Sequence, residues 1–324
     1  MSILKAWALD GKGGGVRLNG DAVLSALEAN KTVWVHLDAS AASTKSALMK
    51  LSAHFDSDAI SSLTAKDTRP RVLKMAKGLL INMRTVNFNN EHDLKDMVSV
   101  RLWMDHETVL SVRMRKLRET QVIEQKIEQG IGPSSTDGFL VSFVEEMVIS
   151  LEQQLAVLVD LVDQAEIDLV DGALDLALRK RVMALRQQTI AYRRYLIPQR
   201  DVLASLLMSG NDVSFISASN QRKLQELHDQ VTRHAEDIDV LRERTVIIGE
   251  EITSSYAERQ NRNMYILSLV AAIFLPLSFM TGLLGVNIGG IPGQNVAGAF
   301  AIFCGVLILV VALQVYIFKK YRWL

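Results

Sequence analysis

Cysteine is almost absent from this chain: among 324 residues the only one is Cys304, inside an apolar C-terminal stretch. An internal disulfide framework is therefore excluded, as is a zinc site built from several thiolates of one chain. Charge is missing from a longer segment. No Asp, Glu, Lys, Arg or His occurs from Asn263 to Phe318, although the formal net charge of the whole chain is zero. Of 36 basic residues only Lys319, Lys320 and Arg322 follow Phe318, which leaves 33 basic against 36 acidic residues in the part before Asn263. That weakly acidic part has no basic stripe with which to neutralise phosphates, so no nucleic-acid partner is expected. The first residues, Met1 to Trp7, lack a basic stretch followed by an apolar run, and no cleaved signal peptide is expected there. Neither a metalloprotease HExxH nor a nucleophile GxSxG occurs, and the chain does not read as an enzyme.

The charge-free segment holds two long apolar runs. Residues 264–284 and 296–318 form runs of 21 and 23 uncharged residues. A bilayer core of roughly 30 Å takes about 20 helical residues, so each run can cross once. Arg259 and Arg262 precede the first, and Lys319, Lys320 and Arg322 follow the second, while the connection 285–295 has no Lys or Arg. The positive-inside rule predicts both termini in the cytoplasm and the short loop outside. Tyr265, Tyr316, Tyr321 and Trp323 occupy positions expected of interfacial aromatics.

Before the membrane segments the pattern divides in two. Residues 31–38, 79–88, 97–105 and 108–114 are rich in Val, Ile, Leu and aromatics and predict strands. Residues 43–55 and 116–130 predict helices, which makes 1–132 a cytosolic α/β domain. The glycine run at 11–15 reads as a turn, since it lacks the Lys-Ser/Thr ending of a phosphate loop. From Pro133 to Arg262 long helices take over. Val144, Met147, Leu151, Leu155, Leu158 and Val162 form a stripe at three- and four-residue steps, and Gly172 breaks the run. A second helix is predicted from about Leu174. Leu224, Leu227, Val231, Ile238, Leu241, Ile248 and Ile252 then fit a heptad seam, interrupted by His234 and Thr245. Nothing but Gly249 interrupts the path from this seam to the first span, so a single helix over 219–284 is expected, about 100 Å long at 1.5 Å per residue.

Polar groups in the first span need a reason, because two helices cannot enclose water and lipid-facing helices gain nothing from them. Met264, Leu267, Ala271, Leu275, Ser278 and Gly282 lie on one helical face. Several copies of that face around an axis would line a narrow pore; ordinary helix packing also uses small residues. Pro276 frees the carbonyl of Ala272, which either bends the helix or leaves an oxygen for a cation. On the cytosolic helix Glu226, Asp229, Glu236, Asp237 and Asp239 are candidates for drawing cations, or simply a solvated face. His228 and His234 are six apart, too far round one helix to chelate a single metal.

Gly285-Val286-Asn287 after a Pro-containing first span resembles the Gly-Met-Asn signature of CorA-type metal-ion transporters. Thr-Arg-Pro-Arg at 68–71, Pro-Gln-Arg-Asp at 198–201 and the stretch 274–293 are similar to the zinc-transporting ZntB branch. The resemblance covers essentially the whole chain. It implies a CorA-like, funnel-shaped homopentamer in a bacterial-type inner membrane, with the first span lining a central pore and the second forming an outer ring. It also implies that Gly285, Val286 and Asn287 form the selectivity motif at the outer mouth. Asn287 would meet the transported ion, through its hydration shell, by a neutral amide oxygen. The resemblance implies Zn²⁺ uptake, coupled to protons, with no tightly bound cofactor. The alternatives are a Mg²⁺, Co²⁺ or Ni²⁺ channel of the same build, and a membrane-anchored metal sensor or scaffold. Where magnesium-transporting relatives carry acid in the external loop, residues 288–295 carry none. Fixed zinc sites prefer nitrogen and sulfur donors, and these spans offer only Cys304, so a hydrated ion is the expected passenger.

Overall fold

The fold is taken from a computed structural model, which describes residues 3–65, 69–86, 97–172, 175–210, 215–286, 291, 293 and 296–321. Thr68, the end of the strand expected over 79–88, Leu174, Asn287, most of the connection 285–295, Arg322 and Trp323 lie outside the described residues. The chain divides into two compact units, Met1–Gly249 and Glu250–Leu324.

The first unit opens with strands β1 (Ile3–Leu9) and β2 (Gly15–Arg17), helix α1 (Gly20–Glu28) and strand β3 (Val33–Asp38). Helices α2 (Thr44–Leu51) and α3 (Ala59–Leu63) follow, then β4 (Arg71–Lys74), β5 (Leu79–Val86), β6 (Met97–Met104) and β7 (Thr108–Arg113). They form a seven-stranded sheet in the order β2-β1-β3-β7-β6-β5-β4, antiparallel except where β3 and β7 run parallel. The four strands expected from composition are β3, β5, β6 and β7. β1, β2, β4, α1 and α3 were not individually expected; β2 and β4 have only three and four residues, and their pairing partners rather than their composition make them.

Alternation within β3 explains its central place. Val33, Val35 and Leu37 point into a core shared with α1, α2 and α3, where Leu48, Phe55 and Leu63 are also buried. Trp34 and His36 point to the other face, and both are fully buried there. The Trp34 ring lies 4.9 Å from that of Phe139. A strand covered on both faces needs apolar or well-partnered side chains throughout. Ser111 meets that need for the polar pair: its Oγ accepts from Trp34 Nε1 at 2.8 Å and lies 2.7 Å from His36 Nδ1. The glycine run is a turn, as expected. Asp10 Oδ1 accepts from the backbone N–H of Lys12 and Gly14, and Gly13, at φ +103°, sits so close to Gly130 that a side chain would collide with its carbonyl. A carboxylate at the centre of that loop is hostile to phosphate.

Helix α4 (Arg118–Glu128) leads to α5 (Thr136–Val170), α6 (Leu176–Gly210) and α7 (Ala218–Leu284), and α8 (Ala299–Lys320) ends the chain. The Ser135 side chain caps α5 by accepting from the Gly138 N–H at 3.2 Å. Asp137 in its first turn accepts from Ser217 N–H at 2.9 Å and Asn220 Nδ2 at 2.7 Å, which fixes the start of α7 against the start of α5. The predicted stripe of α5 is buried from Val144 to Val162, and every apolar residue of the α7 heptad seam is buried as well. Thr245 in that seam turns its hydroxyl back to the Arg242 carbonyl at 2.7 Å, so its polarity is satisfied locally. Arg244 reaches α5, donating to Asp163 at 2.5 Å and to both carboxylate oxygens of Glu166 at 2.6 and 2.8 Å. These bonds hold its guanidinium pKa above the ordinary value.

Gln199, from the Pro-Gln-Arg-Asp stretch, is buried: its Oε1 accepts from the Arg84 N–H at 3.1 Å, and its Nε2 donates to Met147 Sδ at 3.2 Å. One side chain thus joins α6, the sheet and α5.

Candidate ion-conduction site

The helix α7 does not stop at the end of its heptad seam but continues, as a single element, to Leu284. Its apolar end and α8 are both long enough to cross a bilayer, with mean hydropathy 2.2 and 2.7 over their most apolar windows, neither of which is buried within the chain. Helical geometry, 100° per residue, sorts the side chains of the second unit into sides. Leu269, Ile273, Pro276, Leu277 and Met280 are partly shielded and form one stripe of α7. On α8 the shielded stripe is Phe303, Cys304, Leu307, Val310, Val311, Gln314 and the buried Phe318.

The face expected to line a pore is the opposite side of α7. Met264, Leu267, Ala271, Leu275, Ser278 and Gly282 are all exposed, with 60% of Met264 and 72% of Leu275 accessible. They follow one another at three- and four-residue steps, roughly half a turn away from the shielded stripe. Nothing fills the space beside Gly282. Cys304 sits on the shielded stripe of α8 and not with this face.

At the C-terminal end of α7, Thr281 closes the helix on itself: its hydroxyl donates to the Ser278 carbonyl at 3.1 Å, and its own carbonyl accepts from the Gly285 N–H at 2.9 Å. The position of Gly285 requires glycine, since a Cβ there would lie 2.8 Å from that carbonyl oxygen. Val286 is exposed just beyond. Gly285 and Val286 thus follow directly on the end of α7; Asn287 is the next residue in the sequence and lies outside the described residues.

The carbonyl freed by Pro276 has a partner within the chain: Gln314 Nε2 donates to Ala272 O at 3.2 Å. Gln314 was not among the expected site residues. Its signal was legible, since it is the one amide in an otherwise apolar α8, but its partner lies 42 positions away in the sequence.

The acidic candidates on the cytosolic part of α7 separate by partner. Asp239 pairs with Arg193 at 2.6 Å, and Asp229 accepts from Gln225 at 3.0 Å with His228 Nδ1 3.3 Å away. His234 faces Asp237 at 3.8 Å. Glu226 and Glu236 are exposed. Among the described residues no group of three or more His, Cys, Asp or Glu side chains is placed to hold a metal.

The exposed, uncharged face of α7 thus ends in Gly285 and Val286, in the same unit as a second apolar span. Comparison with known proteins supplies the class. Residues 29–320 match the family model described as CorA-like Mg2+ transporter protein, and the chain belongs to that family of divalent-cation transporters. The zinc transport protein ZntB of Pectobacterium carotovorum is 34% identical over 321 residues, covering 98% of this chain and 95% of that one. The divalent cation transporter CmaX of Pseudomonas aeruginosa is 32% identical over 332 residues, covering 99% and 97%. Among solved structures, full-length CmaX superimposes with a TM-score of 0.84 at 31% identity, covering 99% of this chain and 98% of that one. The CorA magnesium transporter of Methanocaldococcus jannaschii superimposes with a TM-score of 0.81, with both chains fully covered. At 19% identity this last likeness speaks to the fold alone.

Proposed function

We propose that five copies of this chain assemble into a funnel-shaped homopentamer in which the end of α7 lines a central pore for Zn²⁺. The observation that carries this reading is the uncovered side of α7 from Met264 to Gly282, set opposite the stripe shielded within the chain. A side with Ala, Ser and Gly among its apolar residues suits close packing around a narrow water-filled axis. Residues 1–132 and 133–262 would form the cytosolic funnel and its stalk, and 263–324 the conducting part. Arg259, Arg262, Lys319 and Lys320 support an inner-membrane orientation with both termini in the cytoplasm.

Gly285 and Val286 end each pore helix, and Asn287 rings the outer mouth in this proposal. A neutral amide oxygen hydrogen-bonds the water around a divalent ion without holding it so firmly that it cannot leave. The name of the ZntB relatives supports zinc, as does a loop without carboxylates. An inside-negative potential favours entry of two charges by about 4.6 kcal/mol per 100 mV, from 2.3 per charge. Uptake is therefore the proposed direction. Coupling to protons, the finer part of the proposal, would have to use groups outside 263–318, where no ionisable Asp, Glu, Lys, Arg or His exists. The description of the family model favours Mg²⁺ as a second reading.

The test is flux into vesicles containing the purified protein, with imposed voltage and pH gradients. Zn²⁺ entry should rise with inside-negative voltage and fall by about tenfold, about 1.4 kcal/mol, in Asn287→Ala with assembly intact. Mg²⁺ entry without Zn²⁺ entry would overturn the zinc assignment. Unchanged flux in Asn287→Ala would remove the amide ring from the mechanism, and no flux of any divalent ion would leave a membrane-anchored sensor or scaffold.

A further inference from the structure

In a helix each backbone N–H donates to the carbonyl four residues earlier, and proline has no N–H to give. At Pro276 the orphan is therefore the carbonyl of Ala272. In water such an oxygen would be solvated. Inside a bilayer there is no water to do so, and an unsatisfied backbone group is costly. That oxygen is the one to which Gln314 donates, from the middle of α8.

We propose that Gln314 is a positioning residue which supplies, from the outer span, the hydrogen bond that Pro276 cannot make, and so sets the bend of the pore helix. Three observations converge on it. Gln314 is the one amide in α8, which otherwise carries apolar residues up to its terminal lysines. Its Nε2 reaches the particular carbonyl left over by the proline and not a neighbouring one. Its Oε1 is shielded and has no partner among the described residues, so the amide is held by this single bond. The exposed face at Ala271 and Leu275 flanks Ala272 and Pro276 in sequence. A shift of the Gln314 amide along α8 would therefore change the angle at which Leu275 and the residues beyond it meet the axis. The outer helix then acts on the bore without touching the ion.

This role in conduction rests on the proposal that α7 lines the pore, so the experiment separates the two. Four full-length proteins are compared: the wild type, Gln314→Leu, Pro276→Ala and the double variant. Ala at 276 restores a backbone N–H for the Ala272 carbonyl and makes the Gln314 amide redundant. Gln314→Leu should lower maximal divalent-ion flux about threefold to tenfold in the wild-type background, the span set by one interhelical hydrogen bond in a membrane. The half-saturating ion concentration should stay unchanged, because the residue touches no ion. In the Pro276→Ala background the same substitution should change flux by less than about twofold, and the loss of thermal stability in detergent should shrink in parallel. Effects that simply add in both readouts would overturn the proposal, as would a Gln314→Leu protein with wild-type flux and stability. Coupled stability losses with uncoupled flux would overturn the role in conduction. If the wild type itself carries no divalent ion, the pore reading fails, while the stability cycle still decides whether Gln314 stands in for the missing N–H.

Discussion

The two units of this chain place apolar side chains under opposite rules. In Met1–Gly249 the apolar face of almost every element is covered: Val33, Leu48, Trp103 and Val144 are each fully buried. In Glu250–Leu324 the apolar residues are mostly exposed, and Ile252 and Phe318 are the only buried hydrophobic ones among the described residues. The difference teaches what each unit has as solvent. The first excludes water by packing on itself; the second leaves most of its apolar surface uncovered, as a surface meant for lipid does.

Substitutions can break or sharpen that contrast. The largest effect is expected for Trp103→Ala. This ring is fully buried 5.5 Å from Phe55, and its Nε1 donates to Asp56 at 3.1 Å. Truncation should cost about 3–5 kcal/mol, read as a lower urea midpoint for loss of circular dichroism. Leu309 tests the second unit, where it is 67% exposed. Leu309→Asp should cost about 3 kcal/mol of membrane insertion and reduce the amount recovered in the membrane fraction. Leu309→Ala should stay below about 1 kcal/mol, since lipid closes around the smaller side chain. A large loss from Leu309→Ala would mean that this position is packed against protein, and the contrast drawn here would not hold for α8.

The most graded effect is expected from pH in the first unit. Burial, with Arg113 and Lys5 nearby, lowers the pKa of His36 to about 3. Between pH 6.5 and 3 the unfolded chain binds a proton at this site that the folded chain refuses. Stability should therefore fall with pH across that window, by at most about 1.4 kcal/mol per pH unit. Above pH 6.5 the contribution is complete. Glu119 works in the opposite sense. Burial raises its pKa even though the Thr85 hydroxyl donates to it, so it favours the fold at low pH and loses that contribution as pH rises. Urea midpoints of the full-length protein between pH 7.5 and 4.5 should flatten in His36→Gln and steepen in Glu119→Gln. An unchanged profile in His36→Gln would show that this imidazole titrates freely.

Much of this was legible in the sequence, for reasons that differ by element. The long helices announce themselves because a stripe such as Val144 to Val162 repeats over many turns, and nothing but a buried helix face needs that spacing. The spans are legible because 264–284 and 296–318 are long and uncharged, which few soluble helices sustain. β2 and β4 were not read individually, since three or four residues carry too little pattern and their identity comes from the strands beside them. The site divides in the same way. The exposed side of α7 proposed to face a pore followed from spacing within one helix, whereas Asn287 was chosen by resemblance. The Gln314 contact depends on two helices meeting, which no local pattern encodes.

The sheet has one more consequence, at its margins. Its outermost strands, β2 and β4, have only three and four residues and carry the exposed Arg17, Arg71 and Lys74. Short, cationic borders offer little backbone for another copy's strand to zip onto. Newly made subunits crowded at a membrane surface are thus discouraged from fusing through their sheets into fibres.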